Sequence, residues 1–364
     1  MNLPVPRHGP VTKIGIESLP DYPERIDVRS PAEFDIDHLP GAVNLPVLSD
    51  DERKVVGTLH SQESAFAARK LGAALVARNI GRILETHCAA KPRDWAPVVY
   101  CWRGGKRSAS LAHVLTEIGW KAMQLDGGYR TWRRHVVASL ATAPARLRYV
   151  VVCGLTGSGK SRLLAALRDE GAQVLDLEQL ARHRGSLLGD LPRDPQPSQK
   201  AFDTGLLTAL QSFDQPRPVY VESESRKIGV IQVPDALLDV MRSAACVRME
   251  TPKHLRVALL KDEYIHFIAD PASLADKLQP LVPVHGRKVI ERWIAAAAAG
   301  DFETLVDELL VMHYDPTYGR SILRNFPRHA EAIRVTPNAI DGPAFRTLAR
   351  DLDARVNSSF AVAA

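Results

Sequence analysis

Apolar positions along the chain follow two rhythms. Short unbroken runs, VVY at 98–100 and YVVVC at 149–153, alternate with longer stretches where apolar residues recur every third or fourth position. The first rhythm predicts strands buried on both faces, the second amphipathic helices. RIDVRSPAEFDIDHLPGAVNLP (25–46) reads as a short strand, a turn, a short helix and an extended exit. ESAFAARKLGAALVARNIGRILE (63–85) lies in a helical stretch running from Asp50 to about His87. The strand VVYCW (98–102), the helix RSASLAHVLTEIG (107–119), the short strand AMQLDGG (122–128) and the helix YRTWRRHVVASL (129–140) close this block.

ATAPAR (141–146) reads as a linker, and LRYVVVCGLTGSGKSRLLAALRDEG (147–171) opens a new strand–loop–helix unit. AQVLDLEQLA (172–181), RPVYVESES (217–225) and AACVRMET (244–251) supply further strands. From about Lys253 the pattern is mostly helical, most clearly in IERWIAAAAAGDFETLVDELLVMHY (290–314), whereas HYDPTYGRS (313–321) reads as a loop. Strands alternating with helices predict parallel sheets. The expected architecture is therefore α/β in two domains: 1–142, with a helical insert over about 50–90, and 146–364, with a mostly helical C-terminal region.

Composition narrows the class. Apolar residues make up 45% and charged residues 24%, an ordinary globular balance. Lys plus Arg exceed Asp plus Glu by 47 to 42, so the net charge of +5 permits an anionic partner without demanding nucleic acid. Cys88, Cys101, Cys153 and Cys246 include no C-x-x-C pair, so neither a zinc site nor a disulfide framework is expected. The opening MNLPVPRHGPVTK lacks the apolar core of a signal peptide, and no apolar run reaches membrane-span length. A cytoplasmic enzyme with no membrane partner is the expectation.

GLTGSGKS (154–161) satisfies G-x-x-x-x-G-K-[ST] between a β-branched strand and a helix. Gly154, Gly157 and Gly159 let backbone N–H groups, with that of Ser158, turn toward phosphate oxygens. Lys160 reaches the terminal phosphates, and the Ser161 hydroxyl is a Mg²⁺ ligand in such loops. Asp176 and Glu222, at the ends of neighbouring strands, are the candidates for the carboxylate that holds Mg²⁺ or acts as an acid. The loop reads phosphates and leaves the rest of the ligand open. Arg226 and Lys227 are candidate phosphate contacts; Arg182–His183–Arg184 and His285, Arg287, Lys288 are small basic clusters.

CWRGGKRS (101–108) places a cysteine at a strand end, followed by Arg103, Gly104, Gly105, Lys106 and Arg107 and then a helix. The loop amides, the helix N-terminus and the three cations favour a thiolate and hold an oxyanion against it. This is the layout of a nucleophile that attacks a group attached to an anionic carrier.

Residues 25–46, with Asp-x-Arg followed by His-x-x-Gly-Ala-x-Asn-x-Pro, together with Cys101 and LDGGYRTW (125–132), resemble a rhodanese domain. The resemblance implies sulfur or selenium chemistry on Cys101. The C-x5-R spacing departs from many sulfur-transfer members and is closer to the phosphatase branch of that fold; a longer loop suits a larger tetrahedral anion. With GLTGSGKS, the insert around GTLHSQESAFAARKLGA (57–73) and HYDPTYGRS, nearly the whole chain resembles the bacterial tRNA 2-selenouridine synthase family. That resemblance implies a tRNA partner with 2-thiouridine at the wobble position, geranylation of its sulfur from geranyl diphosphate, and replacement of the S-geranyl group by selenium from selenophosphate. It implies Cys101 as acceptor of selenium, the phosphate loop as holder of the diphosphate, and no tightly bound cofactor beyond Mg²⁺. The alternative is a sulfurtransferase or phosphatase domain joined to an ATP-dependent kinase-like domain.

Overall fold

The computed structural model describes residues 11–362. Residues 1–10, on which the signal-peptide reading partly rests, lie outside the described residues. The chain divides into two compact units: residues up to Ser139 together with Pro197–Thr208, and Leu140–Gln196 together with Ala209 onward.

The first unit holds β1 (Lys13–Ile14), β2 (Arg25–Asp27), α1 (Pro31–Ile36), β3 (Ala42–Asn44), α2 (Asp50–Gln62), α3 (Ala65–Ile83), β4 (Val98–Tyr100), α4 (Lys106–Ile118), β5 (Met123–Leu125) and α5 (Tyr129–Leu140). The five strands form one parallel sheet in the order β1-β5-β4-β2-β3. The central strand β4 is buried throughout, as its unbroken apolar run requires. The insert is a helix pair. Ser49 and Glu52 form a capping box at the start of α2, and the Ser64 hydroxyl caps α3. Ile80 and Ile83 of α3 join Ile26, Val28, Val99 and Leu111 in the core.

The second unit runs β6 (Arg148–Gly154), α6 (Lys160–Asp169), β7 (Gln173–Leu175), α7 (Leu177–Ala181), α8 (Gln199–Ser212), β8 (Pro218–Glu222), β9 (Lys227–Ile228), β10 (Ile231–Gln232), α9 (Asp235–Ser243), β11 (Ala245–Met249) and α10 (Lys253–Glu263). The start of α8 clusters with the first unit. Short helices α11 (Ile265–Ala269), α12 (Pro271–Leu278) and α13 (Val282–His285) follow, then α14 (Arg287–Ala298), α15 (Phe302–Leu309), α16 (Asp315–Asn325), β12 (Ile333–Val335) and α17 (Gly342–Val362). The sheet is again parallel, in the order β12-β11-β6-β8-β7, with β9 and β10 a separate antiparallel pair. In each unit the central strand therefore delivers its C-terminal end to one of the two glycine-rich loops, where parallel α/β sheets bind ligands.

Two expectations need correction. HYDPTYGRS is helical: it closes a π-turn at Leu310–Tyr314 and opens α16. Pro316 lies in the first turn, where a helix tolerates proline, and buried Tyr314 and Ile322 anchor the segment. The short edge strands β1 and β12 have no counterpart in the sequence reading. Each has only two or three residues, too few to show a period.

Candidate functional site

Cys101 follows directly on β4 and is 3% exposed. The carbonyls of its loop are engaged, that of Gly105 also accepting from Ser108 Oγ at 3.1 Å and lying 3.9 Å from Cys101 Sγ. The N–H groups of Tyr129 and Arg130 donate to the carbonyls of Cys101 and Trp102 at 2.9 and 3.1 Å. Gln124 Nε2 donates to those of Gly104 and Gly105 at 2.9 and 3.2 Å. The Gly105 N–H points at Sγ (3.3 Å), and Ser108 Oγ lies 3.2 Å from it. Gly128 closes this arrangement at φ +59°, where a Cβ would come within 2.2 Å of the Cys101 carbonyl oxygen, so the Gly-Gly of LDGGY is a steric requirement.

The cations of this loop differ in placement. Arg103 and Lys106 are exposed, whereas Arg107 is held by Glu33 through bonds of 2.7 and 3.4 Å. That partner holds the Glu33 carboxyl below its ordinary range, against the burial that raises it. Lys200 of α8, with Nζ 5.8 Å from the Trp102 ring, adds a charge near the loop that sequence spacing gave no means to find. Beneath the sheet ends lies a buried pair. Arg29 Nη2 meets Asp27 Oδ2 at 2.6 Å, Arg29 lies over the Tyr129 ring at 4.1 Å, and Asn44 donates to the Asp27 and Arg29 carbonyls. The Asp-x-Arg and Asn-x-Pro elements are thus scaffold for the strand ends.

The phosphate loop follows β6. Gly159 caps α6 at φ +85°, with a would-be Cβ 2.6 Å from the Phe345 ring. Gly154, Gly157, Ser158, Gly159, Lys160 and Ser161 come together; Lys160 Nζ donates to the Gly154 carbonyl at 3.1 Å. Residues from Thr156 to Ser161 line a cavity of about 320 Å³ with Glu178, Arg184, Glu224, Glu263, Tyr264 and Tyr318.

The two acidic candidates separate. Asp176 caps α7, accepts from Gln179 N–H at 2.8 Å and pairs with Arg168 at 2.8 Å, so its carboxylate is engaged away from the phosphate loop. Glu178 is the residue that meets the loop: its Oε2 accepts from Ser161 Oγ at 3.0 Å. Glu222 is buried; Oε1 accepts from Glu178 N–H at 2.7 Å, and Oε2 has no partner. Burial, with the neighbouring Glu224 charge, pushes the Glu178 carboxyl up to about 8. Burial likewise lifts Glu222, with Asp176 and Glu178 adding to it, and lifts Glu224. The donor set fits Mg²⁺, which binds through one or two carboxylates plus ligand phosphates. Among the described residues no cluster of three or more His, Cys, Asp or Glu forms a self-contained metal centre.

The helical region supplies groups that motif spacing did not reveal. Buried Arg256 donates from Nε and Nη2 to the Thr156 carbonyl and binds Asp315 at 2.6 and 3.0 Å. Asp315 of HYDPTYGRS thereby fixes the phosphate loop through an arginine. Tyr314 packs in the core, and Tyr318 lines the cavity, its hydroxyl 3.3 Å from the Gly185 carbonyl. The 182–184 cluster disperses: Arg182 pairs with Asp194, buried His183 with Asp190, and Arg184 stacks on Tyr264 at 4.8 Å. His285 turns to His313 at 3.1 Å, and Arg226 pairs with Asp235. Among the described residues no helix is long and apolar enough to cross a membrane.

Comparisons with known proteins agree with this geometry. Residues 17–135 match the rhodanese-like domain family, and residues 147–280 match the family described as the tRNA 2-selenouridine synthase AAA domain. A tRNA 2-selenouridine synthase from Nitrosomonas europaea is 31% identical over 90% of this chain and 79% of its own length. One from Nitrosomonas eutropha is 31% identical over 92% and 80%. One from Bdellovibrio bacteriovorus is 37% identical over 66% and 64%. With the cysteine loop and the phosphate loop each at the end of a central parallel strand, and this similarity spanning both, the chain belongs to the tRNA 2-selenouridine synthase family.

Proposed function

We propose that the protein is a tRNA-modifying transferase that converts wobble 2-thiouridine to 2-selenouridine in two steps. In the first, the thiocarbonyl sulfur attacks C1 of geranyl diphosphate. The carbon–oxygen bond breaks, diphosphate leaves, and the base loses its N3 proton. In the second, selenium from selenophosphate displaces the S-geranyl group from C2 as geranyl thiol. Lys160, Ser161 and the amides of 154–159 stabilise the charge that grows on the departing diphosphate. Ser161 and Glu178 would hold Mg²⁺, which would supply charge neutralisation at that diphosphate. Cys101 and its loop handle selenophosphate. The wobble base lies in a single-stranded loop that can be splayed into a pocket.

The observation that carries the reading is an apolar cavity beside the phosphate pocket. The two share Thr156, Leu260 and Tyr264; the remaining walls include Phe267, Phe302 and Leu309. Its volume of about 50 Å³ exceeds the roughly 15 Å³ that one water needs, so it admits a few carbon atoms, with the rest of a prenyl chain in the larger pocket. A ligand with a phosphate head and an apolar tail suits this pair of cavities, since the smaller one offers a nucleobase few polar partners. Calorimetry with geranyl diphosphate tests it. Wild type should bind, and Lys160→Ala should bind at least roughly tenfold more weakly, since the lysine is the main point charge on the phosphates. Equal affinities, or ATP bound and turned over without RNA, would favour the kinase-like alternative.

A further inference from the structure

We propose that a groove of the first unit, walled by α2, α3 and α4, seats the geranyl chain of the S-geranylated wobble nucleoside during the second step, with tRNA phosphates on its cationic rim. The inference rests on the two-step reading above and assigns a binding site to its intermediate.

The groove has a volume of about 910 Å³. That falls within the roughly 300–1,000 Å³ of small-molecule sites. Its walls follow from helical period. One face of α3 supplies Val76 and Ile80, continued by Leu84; α2 supplies Val56 and His60; α4 supplies Lys106, Ser110 and Val114, each set at four-residue spacing. Val56, Val76, Leu84 and Val114 are only half-buried, so apolar surface is left open there. A Cβ added at Gly81, on the same face, would meet nothing within 4 Å, so this wall has room for a chain beside it.

The charge around this floor has one sign. Arg53, His60, Arg69, Lys106 and His113 line the groove and are exposed, and among the described residues that line it none is acidic. Their contacts to acids outside the groove are long: Arg53 Nε stands 3.9 Å from Glu33, and His113 Nδ1 3.8 Å from Glu117. Arg69 Nε donates to the Ala65 carbonyl of its own helix at 3.2 Å. A cationic rim over an apolar floor suits a ligand that is anionic outside and apolar within. An RNA that carries a prenyl chain has that character. Plain RNA leaves the floor wet, and a neutral lipid leaves the rim without a partner.

Position ties the groove to the second step. Lys106, Arg107 and Ser110 on its wall belong to the first turns of α4. That helix start also brings the Gly105 N–H and the Ser108 hydroxyl to 3.3 and 3.2 Å from Cys101 Sγ. A base brought to the cysteine loop still carries its prenyl chain, on the sulfur bonded to C2. Left in water, that chain would oppose binding; laid on the floor of the groove, it favours binding. The apolar cavity of the second unit receives the chain as its diphosphate, and the groove of the first unit receives it on the nucleoside.

The experiment titrates full-length protein with two anticodon stem–loop RNAs, one carrying 2-thiouridine and one its S-geranyl form, followed by fluorescence anisotropy. Wild type should bind the geranylated RNA roughly fifteenfold more tightly or better, the worth of about two buried CH₂ groups. Ala73, exposed on the groove wall, and Gly81 allow it to be filled from two positions of α3. Ala73→Trp and Gly81→Leu should each remove most of that preference, while geranyl diphosphate and the 2-thiouridine RNA bind as they do to wild type. Gly81→Leu should also raise the melting temperature, because glycine is a poor helix former, and this separates a filled groove from a damaged fold. Arg69→Ala should weaken both RNAs alike and lower the salt slope by about 1. A wild type indifferent to the geranyl group, or equal losses for both RNAs in the two α3 variants, would overturn the proposal. Phosphatidylglycerol vesicles bound by wild type and not by Ala73→Trp, with the two RNAs undistinguished, would give the groove to a lipid surface and overturn it as well. A geranyl preference that the α3 variants lose, with no conversion of the S-geranyl RNA to 2-selenouridine by wild type and selenophosphate, would instead remove the two-step reading, and the groove's place in it.

Discussion

Ser161 Oγ donates to Glu178 Oε2 at 3.0 Å, which ties the last residue of the phosphate loop to a carboxyl crowded by Glu222 and Glu224. Burial and like charge push Glu178 up to about 8. Between the ordinary carboxyl value of about 4.5 and that value, the folded protein holds a proton that the unfolded chain has lost. Ligand-free stability should therefore fall as pH rises through this window and level off above it. Glu178→Gln keeps the shape without the ionisation. Its melting temperature should exceed that of wild type by more at about pH 8 than at about pH 5. A gap that is constant with pH in thermal denaturation would contradict this assignment.

Asp27 and Arg29 are both essentially unexposed and bound to each other. Asp27→Ala should cost about 3–5 kcal/mol, because it strands a buried guanidinium. Replacing both partners with apolar residues of similar size should recover much of that loss. Chemical denaturation of the single and double variants checks this; a single-variant cost below about 1 kcal/mol would show the pair to be dispensable.

The apolar cavity makes a prediction separate from Lys160. Val306 is half-buried on its wall. Val306→Phe should weaken geranyl diphosphate binding roughly fifteenfold, the worth of displacing about two CH₂ groups, and leave inorganic diphosphate unaffected. Competition binding with the two ligands reads the difference. Equal losses for both would place the prenyl chain elsewhere.

How much of this was legible in the sequence depends on range. Both glycine-rich loops, the strands that carry them and the helices that follow are local, and glycine spacing with period changes exposed them. Gly154 to Ser161 and Cys101 to Arg107 fall where those local patterns put them. Partners that arrive from elsewhere in the chain left no local trace: Arg256 and Asp315 brace Thr156, and Glu33 takes Arg107. The sequence reading names Asp176 and Glu222 and passes over Glu178, two residues beyond Asp176, because which carboxylate caps the short helix α7 and which faces Ser161 depends on where that helix starts. Ser108 was in view as part of CWRGGKRS, but its position 3.2 Å from Sγ depends on the first turn of α4 folding its hydroxyl back toward the cysteine.

If the two loops carry different steps, the modified nucleosides in digested tRNA will separate them. Cys101→Ala leaves the phosphate loop intact. It should still form S-geranyl-2-thiouridine and should fail to form 2-selenouridine. Lys160→Ala should fail at geranylation, yet should retain selenation when supplied with pre-geranylated tRNA and selenophosphate. Mass spectrometry resolves 2-thiouridine, its S-geranyl form and 2-selenouridine in one run. Those complementary defects are the predicted result; loss of geranylation in a folded Cys101→Ala protein would contradict the division of labour.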